Sequence, residues 1–199
     1  MSEYQYYEFL AIDRPLHDAE QAEVRSLSTR ARITATGFVN EYHSGDFKGS
    51  SSRLMERYYD AHLYVTNWGT HQVMLRLPCD LLEPGVVEDY RVDDQLSPWV
   101  ADEFIVLDFI SEDDAGEFAF DYDAEALLSA IVGVRAELAA GDLRPLYLAW
   151  LAAYGAWNET RTSSTVTPTT ISSRPCRPAW PCSRRRSARW PTSSASTAT

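Results

Sequence analysis

Lysine is nearly absent from this chain: 18 of its 199 residues are basic, and Lys48 is the one lysine. Long apolar runs are missing too, and none approaches the roughly 18 residues of a membrane span. The first eight residues, Met1 to Glu8, are acidic and aromatic where a secretory leader would be basic and then apolar. With no span and no leader, the cytoplasm is the expected location. Cysteine is scarce as well: Cys79, Cys176 and Cys182 are the full set. The spacing of the last two fits no usual zinc site, so free thiols are the simplest reading. No glycine-rich phosphate loop, Gly-x-Ser-x-Gly elbow or Cys–His pair is present, and no metal or other cofactor is expected.

What the chain does have is acid. Its formal net charge is −11, which argues against a bare phosphate backbone or an anionic membrane surface as the default partner. At 45% hydrophobic and 24% charged it has the composition of one globular domain with a real core.

That charge is unevenly spread. Residues 1–159 hold all 29 acidic residues against 11 basic ones, a net of −18, whereas residues 160–199 hold seven arginines and no acid. In that tail 30 of 40 residues are Ser, Thr, Pro or Arg, too little apolar surface to offset ordering. The expected division is therefore one acidic domain over 1–158 and a disordered tail over 159–199. One reading of the tail is a genuine basic segment that touches nucleic acid. The other comes from the genetic code. Only Val166 and Ile171 of these 40 residues lack C or G at the second codon position. Such a bias is normal at the third position of a GC-rich gene, which the 17 arginines against one lysine also indicate. We therefore hypothesise a frameshift near codon 159. Read one frame over, the tail gives an acidic linker and then an amphipathic string, Arg-Ala-Leu-Ala-Asp-Phe-Leu-Arg-Val-Asp-Gly-Asp. Sequencing genomic DNA across codons 156–199 is expected to find a base lost or gained with the other frame open. An intact frame would sink the idea and make the arginines a nucleic-acid candidate.

Within the domain, Tyr4–Ile12 reads as a strand and Asp18–Ala31 as a helix with an Asp18/Gln21 capping box. Ile33–Tyr42 reads as a second strand, followed by a loop at 44–50 and a short helix capped by Ser51 or Ser52, with Leu54/Tyr58 and Met55/Tyr59 as i,i+4 pairs. His62–Thr66 and Gln72–Leu77 flank a glycine-containing hairpin turn. Residues 79–101 are too weakly periodic for more than one short strand. Phe104–Ile110 is a strand buried on both faces, broken only by Asp108. Glu112-Asp113-Asp114 reads as a solvated turn. Asp123 starts a helix that Gly141 ends, and Asp142 starts another to about Trp157, an αα-hairpin. The expected class is α+β, a mostly antiparallel sheet with helices on one side.

The densest cluster of reactive types is Asn40-Glu41-Tyr42-His43-Ser44-Gly45-Asp46-Phe47-Lys48-Gly49. Alternation puts Glu41 and His43 on one face. Glu41, Asp46 and Lys48 resemble the acids-plus-lysine set of metal-dependent nucleases, in which carboxylates hold Mg²⁺ and the lysine steadies phosphate or water. The plainer reading is a turn shaped by Asp and Gly. His62 and His71 face each other across the hairpin on this reading, as a structural pair more readily than a metal site. Aromatics are in surplus, and Trp68, at a hairpin tip, is either an exposed anchor for a partner or a rim residue folded over the sheet.

The opening Tyr4-Gln5-Tyr6-Tyr7-Glu8-Phe9-Leu10-Ala11-Ile12-Asp13-Arg14-Pro15-Leu16 resembles a family of uncharacterised bacterial proteins. Ser28–Thr34, Phe38–Tyr42, Gly45–Gly49 and Asn67-Trp68-Gly69-Thr70 carry the same resemblance, which covers roughly 1–159. It departs at Ser44, where an aromatic is expected. The resemblance implies a longer protein with an acidic stretch and a further helical region, and it implies no activity. Two expectations follow. The first is a non-catalytic protein that binds a protein partner through Trp68, His43, Asp46 and Lys48. The second is a metal-dependent phosphodiester hydrolase using Glu41, Asp46 and Lys48.

Overall fold

A computed structural model describes residues 3–92, 94–112 and 124–163, with side chains left undescribed at 124–126 and 154–163. Seven strands, β1 (Gln5–Leu10), β2 (Arg32–Ile33), β3 (Gly37–Tyr42), β4 (Ala61–Thr66), β5 (Thr70–Pro78), β6 (Leu96–Ala101) and β7 (Phe104–Glu112), form one sheet. Its order is β2-β3-β1-β4-β5-β7-β6, antiparallel at every pairing. Five helices complete the described residues: α1 (Asp18–Leu27), α2 (Ser51–Arg57), α3 (Pro84–Glu88), α4 (Ala124–Ala139) and α5 (Arg144–Ser163). The class is α+β, as expected. No helix among the described residues is long and apolar enough to cross a membrane.

The helices lie on both faces of the sheet, not on one. Tyr6, Leu63, Leu75, Ile105 and Leu107 pack beneath Leu128 and Leu138 of α4 and Leu146 and Trp150 of α5. Phe9, Phe38, Met74 and Val106 point the other way, beneath Val24 of α1 and Leu54 and Met55 of α2. The cause is visible in the strands. Ile105, Val106 and Leu107 are consecutive and all buried, so β7 has no polar face to give to water.

Local details shift some expected boundaries. Thr34 N–H donates to the Gly37 carbonyl at 2.8 Å, closing a tight turn that splits the expected 33–42 strand into β2 and β3. The α1 cap sits one residue earlier than the expected Asp18/Gln21 pair: His17 is the N-cap, and Glu20 accepts its N–H at 2.8 Å. α1 also ends earlier, at Leu27. Ser50, not Ser51 or Ser52, caps α2 by accepting from Arg53 N–H. The stretch 79–101 contains a helical turn begun by Pro84 and the edge strand β6. An edge tolerates Pro98 because one side of the strand needs no donor. β6 and β7 join through Asp102, whose φ of 53° places it in the left-handed region.

Gly141 takes φ 83° at the end of α4, and Asp142 accepts the Arg144 N–H at the start of α5, as the αα-hairpin requires. α5 continues to Ser163, past the composition break at 159 where disorder was expected to begin. Residues 164–199, the Asp113-Asp114 turn and the Asp123 cap lie outside the described residues.

Candidate functional site

Register places the predicted site residues at one end of the sheet. Tyr42 of β3 pairs with Gln5 of β1, which pairs with Thr66 of β4, so the loop after β3 and the β4–β5 turn leave the sheet side by side. Two strand spacings, about 10 Å, separate their roots. The segment before β1 joins them. Tyr4 N–H donates to Asn67 Oδ1 at 2.9 Å, Asn67 N–H returns to the Tyr4 carbonyl at 3.1 Å, and the His43 ring lies 5.3 Å from the Tyr4 ring. Gly69, at φ 99°, makes the turn, and Trp68 at its tip is 46% exposed. The choice left open by the sequence falls to an exposed indole.

The 43–50 loop is anchored from beneath. Phe47 folds back onto Tyr7 and Phe38, with ring centroids 5.3 and 5.6 Å away, and a Cβ on Gly49 would sit 2.4 Å from that ring. Gln5, 4% exposed, is the polar pin. Its Oε1 accepts the Tyr7 and Tyr64 hydroxyls at 2.9 and 3.2 Å, while its Nε2 donates to Asp46 Oδ1 at 2.9 Å and to the Gly45 carbonyl. Burial pushes the Tyr7 phenol well above its ordinary range and raises that of Tyr64, so both remain neutral donors. Asp46, His43 and Lys48 stand exposed on this loop, and no carboxylate among the described residues pairs with Lys48.

The sheet separates the proposed metal ligands. Glu41 is the register partner of Tyr6, whereas Asp46 bonds Gln5, and Gln5 and Tyr6 are adjacent residues with opposite faces. Glu41 does share its face with His43, both beside Tyr4. His62 and His71 do not face each other: His62 pairs with Met74 and His71 with Val65, on opposite faces. No group of three or more metal-ligating side chains occurs among the described residues.

Beyond α2, one stretch of the α2-side face is only half-buried. The core residues of α2 pack against Phe9, Met74 and Val106. One step along the strands, Tyr64, Gln72 and Ile110 form a cross-strand row that is only half-buried, with Asp108 beside it, and Ile110 joins neither core. Gln72 Nε2 donates to both Asp108 oxygens, at 2.8 and 2.9 Å. Burial raises the Asp108 carboxyl above its ordinary range, and the Gln72 bonds oppose that only in part. The sequence reading gave Asp108 no role, although it is the single charge inside the apolar run of β7.

No protein family, curated protein or solved structure matches this chain.

Proposed function

We propose that this is a non-catalytic protein that binds a protein partner through the end of the sheet bearing Trp68, His43, Asp46 and Lys48. The observation that carries the reading is topological. Trp68 and the 43–49 loop, 19 to 25 residues apart in sequence, share one rim because β1 inserts between β3 and β4. An exposed indole above anchored aromatic and polar side chains has the make-up of an interface hot spot. The rim is also pre-ordered by Gln5, Asn67 and Phe47, so binding has little loop entropy to overcome.

The test is Trp68→Ala and, separately, Asp46→Ala with Lys48→Ala, each checked for an unchanged circular dichroism spectrum. A partner captured by the wild-type chain and then purified is expected to bind Trp68→Ala at least about tenfold more weakly, the loss typical of a hot-spot aromatic. Unchanged affinity in both variants would remove this surface from the reading.

A further inference from the structure

We propose that the half-buried strip of Tyr64, Gln72, Ile110 and Asp108 receives a basic side chain from a segment of the partner protein, its cationic head against Asp108. This deepens the partner-binding reading and rests on it. Asp108 is half-buried on a strand, and its hydrogen-bond partner is a neutral amide, with no Arg, Lys or His among the described residues pairing with it. Of the two buried carboxylates among the described residues, Asp60 has Arg76 at 2.7 Å and Glu8 accepts the Tyr6 hydroxyl at 3.0 Å. A desolvated carboxylate with only an amide donor keeps lone pairs open to a charged one. The neighbours suit a long basic side chain, since the apolar Ile110 and the Tyr64 ring can carry its stem while the head reaches Asp108.

Two further observations favour a partner's basic segment. The strip is continuous with the rim: Tyr64 and Gln72 are a cross-strand pair two residues from Thr66 and Thr70, which flank the Trp68 turn. Charge complementarity points the same way, because residues 1–159 carry 29 acidic residues against 11 basic ones.

The probe is a short blocked peptide alternating arginine and alanine, titrated into the full chain at physiological salt and followed by NMR. Its glutamate counterpart and spermidine serve as comparisons. The arginine peptide is expected to shift the Gln72 side-chain amide and Tyr64 ring signals. Asp108→Asn, which keeps a hydrogen-bonding group of the same shape, should weaken it by about tenfold or more. Asp80→Asn, an equal change of charge at an exposed turn, should weaken it far less. The proposal is overturned by no binding, by equal losses in the two variants, or by spermidine producing the same shifts at equal affinity. The two readings separate cleanly: a purified partner lost by Trp68→Ala but retained by Asp108→Asn leaves the rim standing and removes this site.

Discussion

Asp60→Ala is expected to lower the free energy of unfolding by about 3–5 kcal/mol, the cost of leaving one member of a buried ion pair uncompensated. Asp60 is 1% exposed and both its oxygens are in use. Oδ1 accepts Arg76 Nε and Nη2 at 3.1 and 2.7 Å, and Oδ2 accepts the backbone N–H groups of Ile12 and Asp13 at 2.7 and 2.9 Å. Arg76 is buried as well, its guanidinium 4.6 Å from the Phe104 ring centre. Arg135 of α4 closes the cluster by donating to the Arg76 carbonyl at 2.7 Å and to Asp13 at 2.6 Å. Alanine would leave a buried guanidinium without its counter-charge and two backbone donors without an acceptor. Urea titration should show the midpoint falling with the slope unchanged. The contrast is Glu23→Gln, which breaks the exposed pair with Arg57 and should leave the urea midpoint nearly unchanged. A loss as small as that at Asp60 would mean that Arg76 and the two backbone donors find water or another acceptor in the variant.

Much of this architecture is legible in the sequence where local physics is strong. The hairpin around Gly69, the Gly141-Asp142 turn and the doubly buried β7 follow from spacing and from residues with few alternatives. Leu54, Met55, Tyr58 and Tyr59 are all buried, but α2 ends at Arg57, before either tyrosine can complete a helical i,i+4 pair. The placement of the helices does not. Whether α1 and α2 share a face with α4 and α5 depends on β1 inserting between β3 and β4, a long-range choice with no local signature. Short elements also escape. β2 is two residues long, and β6 contains a proline that argues against a strand until its place on the edge is known.

The candidate site divides the same way. His43, Asp46, Lys48 and Trp68 are picked out by residue type, and the fold gathers them on one rim. The pairing of Glu41 with Asp46 fails because a loop after a strand can turn over either face, and Phe47 takes this one to the side opposite Glu41. Asp108 carries a clear sequence signal, a lone acid in an apolar run. Its meaning depends on how far α2 extends over the sheet, which spacing alone does not give.

His62 should make stability fall as pH drops from about 6.5 towards 4, in a window set by its own burial. Its ring stacks on Phe9 at 3.9 Å, and its Nδ1–H donates to the Glu8 carbonyl at 2.8 Å, while Nε2 is buried with no partner among the described residues. Burial pushes its pKa down from 6.5 to about 4, with the Glu8 carbonyl acting weakly in the other direction. A depressed histidine pKa means that the unfolded chain binds the proton first. The stabilisation is therefore complete above the unfolded value and is lost as pH falls through the interval to the folded one. Between pH 7 and 4.5 the loss from this group alone is about 2–3 kcal/mol. The paired carboxylates act lower: Arg14 draws Glu20 down to about 2, so its contribution fades below about 4.3, the ordinary value for a glutamate. His62→Phe keeps a ring against Phe9 and removes the titration. Urea midpoints of the two proteins, measured from pH 7 to 4.5, should converge or cross as the wild type weakens. Parallel profiles would show that the protonated imidazole finds water or an acceptor in the folded state, and that Nε2 is not sealed beneath the aromatic cluster.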